Sequence, residues 1–393
     1  MMSNMIKTNQ TDLRGSAYTT KIHGERPFLF ETDEMLAHSF AKVREGVEPW
    51  ASAFARTKKH ADEAPAPSPF LGSSATQYRL RACQELIYAR YHAVTFLGTG
   101  EQKYLDSALA FLNAYARSTP MLGSDETLDY SAPTIDGQSD LGLNIAAPLV
   151  AFCDVYSLLY PYLADSDKVE MTKWIKVGAA LIRKGHEYWI ANDYYDHQYG
   201  NNHLSSHLMG LIAAAYAIED DELLAYALDG EKNPAHFAEM IERAILMKGD
   251  EVWYRDTDSD FTDGEIYDRY RVVQNNGFFY AIYHLKFLTN GAVMLKNNGL
   301  DYFSFVGKNG ENLLLPYHAY EEYLAANTVE IGNRHYVGSP FCRSVPLFSY
   351  HMADYYYSDE RVHALVRLML DAGEISWDKE TFGDTAIFFY TKG

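Results

Sequence analysis

The sequence predicts an all-α protein folded as a single (α/α) toroid, an incomplete barrel of helical hairpins. Apolar residues recur at helical spacing along most of its 393 residues. Short Gly-, Pro- or Asp-containing breaks separate these stretches, so that successive helices turn back as antiparallel pairs. Alternating strand patterns are nearly absent. Hairpins that each bury one face must either stack into an open solenoid or close into a ring, and a period this irregular favours the ring.

In chain order, residues 1–24 read as a flexible polar leader and 25–393 as one toroidal domain. Thr32 is a good N-cap with Asp33 and Glu34 in the first turn, which opens a helix expected to reach Lys59. The Ala-, Pro- and Ser-rich stretch from Ala61 to Ser74 reads as a loop and a candidate lid. A hairpin follows, with one helix from Gln77 to the Gly98-Thr99-Gly100 break and a second from Tyr104 to Pro120. Further helices are expected at Leu141–Leu163, Asp167–Trp189, His203–Ile218, Asp221–Leu228, Ala235–Met247, Gly277–Lys296, Leu313–Ala326, Val345–Tyr357 and Glu360–Ala372. The tail, Thr385 to Tyr390, reads as extended.

Apolar residues make up 47% of the chain and charged ones 22%, enough for a large core. A net charge of -19 argues against a nucleic-acid partner, because phosphate binding requires a basic face. An anionic substrate on such a body requires a local positive focus. Cys83, Cys153 and Cys342 lie in apolar stretches and read as buried thiols, neither a disulfide framework nor a metal pattern. Met1 to Gly24 has no apolar core of a secretory signal, and no window is expected to reach the ~18 apolar residues of a membrane span. The expectation is a soluble protein with no membrane partner, cytoplasmic as given, or secreted if a signal has been removed. Tyrosine is abundant, with 31 copies. Most should pack between helices, although their flat faces also suit sugar rings.

Two segments place polar residues where helix packing does not require them. One is Tyr194–His207, containing Asn201-Asn202-His203 at a helix entrance, and the other is Asp263–Leu288. Asn-Asn-His before an apolar helix resembles the signature of the polysaccharide lyase family 5 alginate lyases and their relatives. In that group a later Tyr opens a helix as Tyr-x-x-aromatic-x-Leu-x-x-Leu, and the stretch from Tyr280 through Tyr283 and Leu285 to Leu288 fits. The entrance Glu25–Thr32, the Glu48-Pro49-Trp50 triplet and the closing Phe382–Tyr390 also resemble the group, so the likeness spans residues 25 to 390.

The resemblance implies β-elimination on a 1,4-linked polyuronate: alginate, with poly-mannuronate favoured, or glucuronan. The partner is then an anionic polysaccharide or oligosaccharide, with no cofactor and no metal. Tyr280 is implied as base and acid, His203 as its partner, and Asn202 with an arginine as neutralisers of the carboxylate. The family's arginine lies about two turns before the tyrosine, where this chain reads Val-Val-Gln-Asn-Asn, so Arg269 and Arg271 are both candidates and Asn275 can share the task. The chemistry demands these types. The C5 proton becomes acidic only when donors neutralise the neighbouring carboxylate, and a base and an acid must then serve H5 and O4. Where H5 and O4 share a face, as in mannuronate, one tyrosine can do both. Where they do not, as in guluronate, His203 is the natural base.

Substrate-binding candidates are Asn201, Gln77, Tyr78, Gln138, Asn275, Arg334, His335 and Tyr336. His203 and His207 stand four apart, a spacing seen in zinc sites, but no HExxH glutamate accompanies them. The run Asp256–Asp263 lacks the glycine and glutamate of a calcium loop and reads as solvated. Tyr283 reads as core. Two other functions stay open. A toroidal glycoside hydrolase would need a carboxylate pair drawn from Asp196, Asp263 and Glu265, and a uronate-binding protein would need no catalyst.

Overall fold

The computed structural model describes residues 18–20, 25–70, 74–117, 141–191, 200–250, 252, 261–268, 277–331, 334–335, 344–374 and 376–392. Helix α1, Asp33–Arg44, begins where the Thr32 side chain accepts the Met35 N–H, with acids in its first turn and Lys42 and Arg44 in its last. The single helix expected up to Lys59 is in fact two. Gly46 takes a left-handed φ of +69° and Pro49 has no N–H to continue the ladder, so the chain turns and restarts as α2, Trp50–Glu63. Ala61 packs into the core, which carries α2 two residues into the expected loop.

Helices α3, Ala75–Thr99, and α4, Gln102–Arg117, form the expected hairpin, with Gly100 closing α3 at φ +72°. Then follow α5, Leu141–Leu159, α6, Asp165–Ala191, α7, Asn202–Ile218, and α8, Asp221–Leu228. Helix α9, Phe237–Ala244, stops short of Met247, because the Leu246 N–H donates to the Glu265 carbonyl and the Ala244 carbonyl accepts from the Tyr267 N–H instead. Helix α10 is Gly277–Asn297, and the stretch expected as one helix from Leu313 divides at Tyr320 into α11, Leu314–Ala319, and α12, Glu321–Ala326. A two-stranded antiparallel ladder, β1 Glu330–Ile331 and β2 Arg334–His335, precedes α13, Ser344–Tyr357, and α14, Glu360–Asp371.

The tail is helical rather than extended, forming α15, Ala386–Tyr390. Ala386, Phe388, Phe389 and Tyr390 are all buried, so there is no solvent face for a strand's alternation to serve. In that dry setting, a helical turn keeps the backbone hydrogen bonds local.

Contacts between helices close a ring. Helix α3 packs on α5, α5 on α7, α7 on α10, α10 on α13, α13 on α15, α15 on α2, and α2 back on α3. Outside it, α4 and α6 back the first half and α14 backs α13. Nearly all the buried apolar side chains join one core. The segment Gly142–Tyr162, contrary to expectation, is long and apolar enough to cross a membrane by composition, yet its apolar window is entirely buried in the fold. Its neighbours α3, α6 and α7 leave no side open to water, which is why it is apolar all round. Cys83 and Cys153 are buried free thiols, pushed up by desolvation, and Cys342 lies outside the described residues.

The ring closes around a buried cation. Arg90 of α3, fully inaccessible to solvent, donates to Asp154 of α5, to Glu31 ahead of α1, and through Nε to Thr385 Oγ1 at 2.9 Å. The rings of Phe382 and Phe389 cover its guanidinium at 4.7 and 5.5 Å. Burial raises the Glu31 carboxyl to about 7 against the pull of Arg90, and burial also raises Asp154. The folded chain therefore holds a proton that the unfolded chain has released once the pH passes about 4.5. That contribution is present below about 4.5 and disappears as the pH rises through 7, a loss on the order of 3 kcal/mol. Thermal unfolding followed from pH 5 to 8 is expected to show Tm falling with pH, and a flatter profile in Glu31→Gln. Parallel profiles for the two proteins would remove Glu31 from the account.

Candidate active site

The entrance of α7 is built from its own sequence. Asn201 is the N-cap, and its Oδ1 accepts the N–H groups of His203 at 2.9 Å and Leu204 at 3.3 Å. Just before it, Gly200 passes so close to α9 that an added Cβ would lie 2.9 Å from that of Arg243 and 3.0 Å from the Ala244 nitrogen. The Asn202 amide, which has no partner within the helix, donates to Asp268 Oδ2 at 2.8 Å. Asn201 and Asn202 are buried, and His203 is half-buried. Of the polar segment expected to lead into this helix, residues 192–199 lie outside the described residues.

His203 lies flat against Trp189 of α6, with ring centroids 4.3 Å apart and planes 23° from parallel. Trp189 is itself buried, so it offers the imidazole a fixed wall. Sequence reasoning missed it, since Trp189 was only the expected end of a helix.

Across the seam, Tyr280 stands in the first turn of α10, half-buried and edge-on to Phe279 at 5.9 Å. Tyr283 is core, as expected. Its ring stacks on Phe279 at 5.6 Å and its hydroxyl donates to Glu380 at 2.5 Å. Arg79, Lys286 and Lys379 all lie within 6.0 Å of the Tyr283 ring centre. Glu380 pairs with Arg79 and Lys286, and Asp378 with Lys286, so the described residues set three cations against two carboxylates around the Tyr283 ring.

The two helices are joined by side chains that were passed over in the sequence. Asp268 Oδ2, already holding the Asn202 amide, lies 2.5 Å from His284 Nδ1, and His284 Nε2 lies 2.6 Å from Ser205 Oγ. His284 follows Tyr280 by one helical turn, and Ser205 follows His203 by two residues. The bond therefore brings the face of α10 that carries Tyr280 against the first turn of α7.

The remaining candidates are scattered. Gln77 is exposed in the first turn of α3, where its amide meets the Ser74 cap. Tyr78 is buried in the core, with desolvation pushing its phenol upward. Arg269, Arg271, Asn275, Gln138, Tyr336 and Asp196 lie outside the described residues, and Arg334 and His335 are described only as backbone of β2. Asp263 accepts the Lys248 N–H and Glu265 accepts from Thr262, so both carboxylates are engaged in shaping local turns. His207 is buried, edge-on to His186. Among the described residues no three His, Cys, Asp or Glu side chains gather as a metal set.

A family model described as alginate lyase matches residues 88–319, more than half of the chain. No curated protein matches the sequence. Among solved structures, an alginate lyase from Bacteroides ovatus superposes with a TM-score of 0.61 at 11% identity, over 94% of this chain and all of that one. Alginate lyase A1-III from Sphingomonas species A1 gives 0.60 at 12% identity, over 91% of this chain and 95% of its own. A tyrosine-to-phenylalanine variant of A1-III complexed with a tetrasaccharide gives 0.61 at 11% identity, over 95% and 99%. These likenesses show the toroidal fold, and the matched sequence model shows the family: the chain belongs to the alginate lyases, a group of polysaccharide lyases.

Proposed function

We propose that this lyase cleaves a 1,4-linked polyuronate by β-elimination, with alginate, and poly-mannuronate within it, favoured over glucuronan. The observation that carries the reading is the seam between α7 and α10, where the bond from Ser205 to His284 brings the turn bearing Asn202 and His203 against the turn after Tyr280. The tetrasaccharide held by the A1-III variant supports an oligosaccharide substrate.

In the proposed reaction, Asn202 and Arg269 or Arg271 hydrogen-bond the uronate carboxylate and stabilise the enolate-like transition state. The Tyr280 phenolate takes H5, and the released electron pair forms the C4–C5 double bond. The C4–O4 bond breaks, and O4 receives the proton that Tyr280 has just gained. A phenol with an ordinary pKa near ~10 needs a cation beside it to act as a base, and either arginine can supply it. His203, held flat by Trp189, completes the proton path and is the base on the opposite face in guluronate.

The conjugated double bond absorbs in the ultraviolet, which provides the test. Purified protein given poly-mannuronate, poly-guluronate, glucuronan and hyaluronan is expected to generate new absorbance most rapidly on the first. Tyr280→Phe is expected to lose at least about 10³-fold in kcat and His203→Ala about 10²-fold, in the range of lost proton transfer and positioning. No absorbance on any polyuronate would sink the lyase reading, whereas a fully active Tyr280→Phe would show that another residue is the base.

The stacking of Trp189 gives a separate expectation. Trp189→Phe keeps a ring face and is expected to retain most of kcat, while Trp189→Leu, which fills the space without a face, loses about tenfold. Equal rates in the two variants would show that the wall does not orient His203.

A further inference from the structure

Ser205, His284 and Asp268 are connected atom by atom in the order of a nucleophilic triad, yet all three are wholly inaccessible to solvent. A serine with no access to water or substrate attacks nothing. The proton assignment that satisfies these atoms has Nδ1–H of His284 donating to Asp268 Oδ2, and the Ser205 hydroxyl donating to Nε2. Asp268 Oδ2 then accepts twice, from His284 on α10 and from the Asn202 amide on α7.

We propose that Asp268 and His284 are positioning residues that fix the entrance of α7 against the first turns of α10, and so hold Asn202 and His203 in register with Tyr280. The activity part of this proposal rests on the lyase reading. Three features single the pair out. Helix packing alone permits sliding by a fraction of a turn, whereas a carboxylate oxygen shared by two helices permits little. The amide it holds belongs to the first turn, which the helix itself leaves unsatisfied. The buried imidazole bonds at both nitrogens, so its ring cannot turn without leaving a buried polar atom unpaired.

What the site requires of Asp268 on this view is an acceptor, not a charge. Asn at this position can place its carbonyl oxygen where Oδ2 stood and still accept both N–H groups. Asp268→Asn is therefore expected to keep kcat within about fivefold, and Asp268→Ala to lose about 100-fold in kcat with KM within about threefold, because a misplaced group costs turnover more than ground-state binding. Rates are normalised to folded protein by circular dichroism. If Asp268→Ala does not fold, His284→Asn, whose amide N–H can replace Nδ1–H, compared with His284→Leu carries the same contrast.

Hydrogen–deuterium exchange of the Asn202 amide gives a readout that needs no substrate. It is expected to be protected in the parent and in Asp268→Asn, and to exchange at least about tenfold faster in Asp268→Ala while the core of α7 stays protected. Equal loss of kcat in the Asn and Ala variants, or an Asn202 amide unaffected by Asp268→Ala, would overturn the proposal. A parent inactive on every polyuronate would instead overturn the lyase reading, and the exchange comparison would still decide whether Asp268 fixes the helix entrance.

Discussion

Closing a ring of helices forces the first and last segments of the chain to meet, and here they meet on Arg90. Apolar packing is non-directional and leaves the meeting free to slide. A guanidinium has five donors in a rigid plane and a fixed set of acceptors, and Arg90 divides them among Glu31, Asp154 and Thr385. Those partners belong to the segment before α1, to α5, and to the segment before α15. Desolvating the charge is costly, and a buried ion pair gives little net stability. What it supplies here is register, because any other closure would leave a cation in the core without its acceptors.

That closure sets up the seam where the candidate site lies. With α3, α5 and α7 placed in succession, α10 packs on α7, and the Ser205–His284 bond joins the two helices. The same burial sorts the tyrosines. Tyr115, Tyr156, Tyr216, Tyr302 and Tyr317 are enclosed, and desolvation pushes each phenol upward, away from use as a base. Tyr280 is only half-buried, one turn before the Tyr283 ring that Arg79, Lys286 and Lys379 surround. An abundant residue thus serves mainly as packing, and the half-buried Tyr280 is the copy on which the proposed reaction rests.

The helices were legible in the sequence because periodicity and caps are local. Thr32 caps α1 as its position suggests, and Ser74, Asp220 and Asp359 cap later helices through the same local chemistry. The break at Gly46 was missed because helical spacing continues on both sides of it, and the tail was misread because a wholly buried segment has no polar face to report its period. In the site, the Asn-Asn-His element and Tyr280 were legible through their order along the chain. Asp268 and His284 were not, although both lay in the quoted segment, because their meaning depends on partners 66 and 79 positions away. Trp189 was hidden for the same reason, since a stacked pair from two helices leaves no mark on either alone.

The acidic body and the acidic substrate proposed for it are reconciled by distance. A charge of -19 acts through solvent, where screening confines it to about 8 Å at physiological salt. The cations around Tyr283 act at contact, next to low-dielectric aromatic faces, where the same charge has more effect. Many of the nearby carboxylates are also engaged: Glu380 and Asp378 by Lys286, Asp268 by two N–H groups, Glu265 and Asp263 by backbone turns. Carboxylates held in this way are poorly placed to serve as the free acid and base of a hydrolase. Beside the seam, among the described residues, stand a phenol, an imidazole and amides, the groups on which the proposed elimination draws.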